Sequence, residues 1–254
     1  MRIIAGEFRS RRLSTPKDAS TTRPMPDRVR ESVFGLLRGN CEGAVVFDAF
    51  AGTGSVGLEA ISRGASRCIF IERERRIAEI LRENIATLGV EDRCEVVEGD
   101  ALGLAALARC PDPVDLVFFD PPYAMVRDPG GWRRVRDQFA QFVERLSPTG
   151  FAMIRTPWPF IHTDEVNEDA APREKQRRSR RRRTRVDLRS VEIIDGEAWE
   201  PWDDAEVESS GEEPPSRPAR HRVDLAIRGA KGPETHTYRT TAVHFYMRSD
   251  ITRP

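Results

Sequence analysis

Cysteine is scarce in this chain, at four in 254 residues. Cys41, Cys68, Cys94 and Cys110 show no C-x-x-C spacing and no nearby histidine, so neither a zinc knuckle nor a secreted disulfide framework is expected. Long hydrophobic runs are missing too. No stretch approaches the ~18 apolar residues of a membrane span, and MRIIAGEF leads into charge rather than an apolar segment, so no signal peptide is expected. These absences point to a protein of the reducing cytoplasm, without membrane or metal. Net charge is absent as well, since 41 basic residues cancel 41 acidic ones. The cancellation hides segregation. Residues 1–39 carry nine basic and four acidic groups, residues 173–185 carry nine and one, and residues 191–213 carry ten acids and no base. The two basic patches suit a polyanion, whereas the balanced total says nothing about partners.

What is present is an alternation. AVVFDAF, RCIFIE, CEVVEGD, VDLVFFD and GFAMIRT are short apolar runs of the kind that strands covered on both faces show. Helical stretches are predicted between them at 56–63, 75–88, 102–108 and 132–146. In the second, Ile77, Ile80, Leu81, Asn84, Ile85 and Leu88 form one stripe. Repeated strand and helix units mean a doubly wound, mostly parallel α/β sheet, whose ligands bind beyond the carboxyl ends of the strands. Those ends read Asp48, Glu72, Asp100 and Asp120. Residues 1–40 read as a basic hairpin or arm followed by a helix with Asp27 as its N-cap, and 41–156 as the catalytic core. Residues 157–222 read as a charged insertion, for the most part disordered or loosely packed. Residues 223–254 resume strand character, with VDLAIRG and TTAVHFYM predicted to form an antiparallel hairpin on the sheet edge.

VVFDAFAGTGSVGLEAISRGA is a strand, a turn and a helix, with Gly52, Gly54 and Gly57 in a G-x-G-x-x-G arrangement. Glycines there allow a sharp turn and let a ligand approach the N–H groups of the helix start. Glu72 ends the next strand, where a carboxylate can accept both hydroxyls of a ribose. Any adenosine cofactor would be served. Asp48 narrows the choice, because a carboxylate at the first strand tip disfavours a pyrophosphate and suits the ammonium of a methionyl group. That favours S-adenosylmethionine. Asp100 is placed either to accept from the adenine amine, beside the Ala101 N–H, or to cap the following helix. No His or Tyr-x-x-x-Lys constellation accompanies the loop, which argues against a dehydrogenase.

The fourth run stops on Asp120-Pro121-Pro122-Tyr123. Proline after Asp120 holds that residue extended, and two prolines in a row leave a stiff path without N–H donors. The Asp120 carboxylate and the Pro121 carbonyl can then present fixed acceptors to one –NH2 group. Tyr123 offers a face for a planar base, a contact worth roughly 1 to 3 kcal/mol. An amine conjugated to a ring has a delocalised lone pair, and two acceptors that hold its hydrogens out of plane would restore its nucleophilicity.

DAFAGTGSVGLEAISRGA, IERERR, VVEGDA and FFDPPYA together resemble the class I S-adenosylmethionine-dependent amino-methyltransferases. RIIAGEFRSRRL and TTRPMPDRVRESVF resemble the RsmD-type bacterial 16S rRNA guanine-N2 methyltransferases. The similarity covers roughly residues 2–155, and the chain departs from it at Met25 and Pro26, where the family has threonines. The resemblance implies a seven-stranded Rossmann-like sheet with an N-terminal basic extension, and methylation of a guanine N2 in 16S rRNA of an assembling small subunit by a monomer. Carried over, Asp48, Ala51, Gly52 and Gly54 would line the methionine side, Glu72 the ribose, Asp100 and Ala101 the adenine, and Asp120, Pro121 and Tyr123 the target amine. Arg9, Arg11, Arg12, Arg23 and Arg28 would meet the RNA. Two other readings stay open: a DNA adenine-N6 or protein glutamine-N5 methyltransferase with a similar turn, or a non-catalytic RNA-binding module of the same fold.

Overall fold

Side chains alternate across a strand, so an unbroken apolar run must be covered on both faces. In the computed structural model, which describes residues 1–16, 25–163 and 220–249, four of the five runs meet that demand, whereas CEVVEGD forms an edge strand that is only partly buried. The chain divides into two units, residues 1–162 with 220–254 and residues 163–219. The seven-stranded sheet and its helices lie in the first.

In chain order the elements are α1 (Asp27–Leu36), β1 (Val45–Asp48), α2 (Gly57–Ser62), β2 (Arg67–Glu72), α3 (Arg75–Leu88), β3 (Cys94–Glu98), α4 (Leu104–Arg109), β4 (Val114–Phe119), α5 (Tyr123–Arg127), α6 (Pro129–Val143) and β5 (Leu146–Pro157). Then come β6 (Ile161–Thr163), β7 (Arg220–Arg222), β8 (Ala230–Tyr238) and β9 (Thr241–Arg248). Seven strands form one sheet in the order β3-β2-β1-β4-β5-β9-β8, while β6 and β7 form a two-stranded sheet of their own. β1 pairs in parallel with β2 and β4, and β9 runs antiparallel between β5 and β8. Val46, Leu116 and Phe118 enter one core layer with α1, α2 and α3. Phe47, Val117 and Phe119 enter the other with α6. Strand order reverses between β1 and β4, which puts the tips of β1, β2 and β4 side by side.

The N-terminal arm is docked rather than free. Its hairpin closes with an Arg2 to Arg12 bridge, and Ile3 and Leu13 are buried. Glu59 on α2 is fully buried and accepts from the backbone N–H groups of Ile4 and Ala5 at 2.7 and 3.0 Å. Arg63 pairs with the same carboxylate at 2.8 Å, and Arg30 reaches across to the Arg2 carbonyl at 2.6 Å. Asn84 ties the arm to the glycine loop: it accepts from Ser14 N and donates to Thr53 O at 3.0 Å.

Four expectations are corrected. Asp27 is not an N-cap; Pro26 precedes the helix, and Asp27 is its first residue, paired with Arg30. The helix expected at 132–146 starts at Pro129, capped by Asp128, and ends at Val143; Leu146 already belongs to β5. The strand expected at 223–229 is not one. Asp224 turns the chain by accepting from Ala226 N, Leu225 O accepts from the Tyr246 hydroxyl, and Ile227 plugs the α6 core layer. The hairpin partner of β9 is instead β8, a polar edge strand whose register shifts between Lys231 and Glu234. The Gly232-Pro233 pair falls at that shift, where an edge strand tolerates proline. The third of the predicted helices also contracts, to 104–109. Phe160 and His162 are buried in the body of the fold, while residues 164–219, with the basic run at 173–185, lie outside the described residues.

Candidate active site

The turn after β1 is stitched to both neighbouring strands. Ala49 N donates to Phe118 O and Ala51 N to Ile71 O, at 2.9 and 3.0 Å. Glycine at 54 is required twice over: its φ is +86°, and a Cβ there would stand 2.3 Å from a Leu81 methyl. Glu72, at the β2 tip, accepts from Gly52 N at 2.9 Å with one oxygen and from Glu74 N at 2.8 Å with the other. Asp48 is 2% exposed and accepts from Gly57 N at 3.0 Å, at the start of α2. Burial pushes its carboxyl up to about 7, the Gly57 N–H pulls it down, and the charges of Asp120 and Glu72 push it up again. Asp48 therefore feels the acids at both neighbouring strand tips, and a cation placed beside it would relieve its carboxylate.

Beyond β3, Asp100 is exposed. Its carboxylate accepts from Leu102 N at 2.9 Å. The residue before α4 is Gly103, without a side-chain cap, so Asp100 is not the helix cap. Ala101 is buried beside it.

At the β4 tip the structure adds a partner that the sequence did not disclose. Arg155, on β5, grips Asp120 with both prongs: Nε donates to Oδ1 at 2.6 Å and Nη2 to Oδ2 at 2.9 Å. The two side chains are 9% and 13% exposed. Burial raises the Asp120 carboxyl, and the guanidinium pulls it back; burial lowers the Arg155 guanidinium, and Asp120 more than restores it. The Asp120 oxygens thus already hold a planar, doubly donating group. Pro121 is buried and Pro122 precedes α5, so the prolines lead straight into a helix with Tyr123 as its first residue. The Tyr123 ring has the guanidinium carbons of Arg155 and Arg127 5.3 and 5.9 Å from its centroid. Its hydroxyl donates to Thr241, which donates to the Thr156 carbonyl at 3.0 Å.

Of the five arginines expected to meet RNA, Arg9, Arg11 and Arg12 are exposed on the hairpin and Arg28 on the first turn of α1. The Arg30 to Arg2 bond makes those two elements neighbours. Arg23 lies outside the described residues.

Residues 1–167 match the family model described as Conserved hypothetical protein 95. Over 185 residues the chain is 34% identical to ribosomal RNA small subunit methyltransferase D of Escherichia coli K12, covering 70% of this chain and 90% of that one. This is the RsmD family, and the chain belongs to it. The protein of the same name from Haemophilus influenzae is 36% identical over 124 residues, 48% of this chain and 64% of that one. Two solved structures share the fold. One is yhhF of Escherichia coli, at TM-score 0.60 and 22% identity over 98% of both chains. The other is a hypothetical protein of Thermus thermophilus, at 0.55 and 20% over 98% and 99%. As an RsmD-family methyltransferase the protein takes its methyl group from S-adenosylmethionine. Asp48 and Glu72 suit that donor, which carries an ammonium and a sulfonium, while Asp120 already has a countercharge in Arg155. Among the described residues, no helix is long and apolar enough to cross a membrane.

Arg155 and Thr241 escaped the sequence reading. A signal for Arg155 existed, because GFAMIRT puts a charge near the end of an apolar run, as the other strand tips do. Thr241 gave none, since its partner Tyr123 is 118 residues away.

Proposed function

We propose that this protein methylates the exocyclic N2 of a guanine in 16S rRNA of an assembling small subunit, acting as a monomer. The observation that carries the reading is the two-pronged grip on Asp120. Its carboxylate lies beside the Asp48 and Glu72 tips and accepts from two adjacent N–H groups of one planar C–N framework. Guanine offers the same unit in N1–H and N2–H2.

S-adenosylmethionine supplies, when bound, an electrophilic methyl group on a sulfonium. Glu72 and the Gly52 to Gly54 turn hold the ribose and methionine portions, Asp48 faces the ammonium, and Asp100 with Ala101 faces the adenine. Asp120 and the Pro121 carbonyl accept from the target amine, and Tyr123 stacks on the base. Positive charge growing on nitrogen is stabilised by the Asp120 carboxylate, and the methylated amine sheds its proton afterwards, so no strong base is needed. Arg9, Arg11, Arg12 and Arg28 meet phosphates, which makes RNA affinity fall with salt.

The test supplies labelled S-adenosylmethionine with unmodified small subunits, naked DNA or release-factor protein. Label in the subunits, recovered as N2-methylguanosine on nucleoside digestion, is expected. Label in DNA alone would sink the proposal.

Asp48 gives a pH signature. Its carboxyl titrates at about 7 in the fold and at about 3.9 in the unfolded chain. Between those values the folded protein keeps a proton that the unfolded chain releases. The contribution of Asp48 to stability is therefore largest below about 4 and declines as pH rises to about 7. Donor binding runs the other way, because only the ionised carboxylate attracts an ammonium. Calorimetric affinity for S-adenosylmethionine is expected to rise from about pH 6 to about pH 8, and Asp48→Asn to flatten that rise.

A further inference from the structure

The face of the sheet opposite the arm carries charge that the proposed chemistry leaves unused. Residues 123–143 and 220–229 hold seven arginines against three aspartates, with no lysine and no glutamate. The aspartates are occupied locally: Asp128 accepts from Gly131 N, Asp224 from Ala226 N at 2.9 Å, and Asp137 stands 3.6 Å from Arg136. Arg127, Arg133, Arg220, Arg222 and Arg228 are exposed, and Arg136 is partly buried. Among the described residues, Arg136 alone of these six has a carboxylate partner.

The arginines line up because residues 220–229 run along α6. At the start of the run, Val223 N donates to Phe160 O at 3.2 Å, and Phe160 meets Trp132 of α6 edge-on at 5.0 Å. His162, on β6, contacts the Val126 carbonyl through a ring nitrogen at 2.9 Å, and its ring lies 6.1 Å from that of His221 on β7. β7, with Arg220 and Arg222, therefore sits by the end of α5 that carries Arg127. Further along, Arg136 and Gln141 on one wall and Ala226 and Arg228 on the other line a cleft of about 520 Å³. A Cβ on Gly229 would stand 3.6 Å from Glu144 Cγ, so the run ends just past α6. Arg133 stands one turn before Asp137, which also lines the cleft, and so shares this flank of the helix. Arg134 turns to the other flank, one turn before Gln138, whose amide reaches the Gly103 carbonyl.

We propose that Arg127, Arg133, Arg136, Arg220, Arg222 and Arg228 form a second RNA track, which takes the phosphates on the α6 side of the target base while the arm takes those on the other side. The inference rests on the rRNA reading above and deepens it. The base site at the β4 tip lies between two core layers, with the arm and α1 on one and α6 on the other. A strand that delivers a base there brings its backbone past one face on the way in and past the other on the way out. Guanidinium forks match phosphate oxygens bidentately, and contacts of this kind set the register of a strand without reading its sequence. Arg127, with its guanidinium carbon 5.9 Å from the Tyr123 ring centroid, joins the track to the base site. Three of the six arginines lie beyond residues 1–167, where the family model ends, so half of the track belongs to the C-terminal part of the chain.

The experiment measures binding of the full chain to unmodified small subunits across about 50 to 200 mM salt. One variant combines Arg133→Ala, Arg222→Ala and Arg228→Ala. A control combines Arg67→Ala, Arg82→Ala and Arg109→Ala, the same change in net charge at arginines paired with Glu95 and Glu98 of β3. The track variant is expected to bind at least about tenfold more weakly near 100 mM salt, and its slope of log affinity against log salt should shrink by about two to three. KM for the subunits should rise with it, while kcat and affinity for S-adenosylmethionine stay as in wild type. The control should keep the wild-type slope. Equal slopes in wild type and track variant would overturn the proposal, as would equal losses in both variants, which would mark the effect as net charge alone.

Because the substituted arginines flank core residues, a second measurement uses the wild-type protein, photo-crosslinked to the subunits. RNA-bearing peptides from residues 127–136 or 220–228 are expected; crosslinks confined to the arm would overturn the proposal. Label in DNA alone from wild type would remove the rRNA reading, and the proposal with it. Label in the subunits together with an unaltered salt slope in the track variant removes the proposal alone.

Discussion

Asp120→Asn is expected to cut the rate of methyl transfer by about 100- to 1,000-fold, the usual loss when one preorganised group facing developing charge is removed. Affinity for S-adenosylmethionine should be essentially unchanged. Asparagine keeps the shape but replaces one acceptor oxygen by an NH2 that points at the Arg155 fork, so the charge stabilisation and one of the two hydrogen bonds vanish together. The variant should also be less stable. Breaking a buried ion pair by removing one partner costs about 3 to 5 kcal/mol, and the slight exposure of this pair places the loss toward the lower end. Single-turnover rates at saturating donor, calorimetric binding and urea unfolding separate the three quantities. A variant with wild-type turnover would show that Asp120 is scaffold.

Glu72→Ala is expected to fail in the opposite order. Hydrogen bonds to a charged group contribute about 1.5 to 3 kcal/mol, so losing the ribose contact should raise Kd for S-adenosylmethionine roughly 10- to 100-fold. The rate at saturating donor should survive. The substitution also releases Gly52 N and Glu74 N, which loosens the loop in the same direction. If Asp120→Asn and Glu72→Ala weaken donor binding equally, the division between a donor site around Glu72 and an acceptor site around Asp120 is wrong.

Much of the scaffold can be read along the chain because local signals there agree with burial. α3 begins and ends where the apolar stripe predicts, at Arg75–Leu88, with Asn84 on the buried face. The core strands announce themselves because burial on both faces demands unbroken apolar runs. β8 was invisible for the converse reason: an edge strand needs only one partner and little burial, so AKGPETHTY carries no apolar pattern. Residues 223–229 misled because alternation of apolar and polar residues also suits an irregular segment that plugs a core layer, as Ile227 does.

The site divides along the same line. Sequence alone determined the glycine turn, the acids at the strand tips and the proline-stiffened corner, since each depends on steric rules within a few residues. Only the tertiary structure decided what those acids touch. Asp120 meets Arg155 because β4 and β5 lie side by side, and Asp48 is driven up to about 7 because burial and two neighbouring tips act on it together. Electrostatic energies depend on distance through space and on exclusion of water, and neither quantity is encoded by separation along the chain.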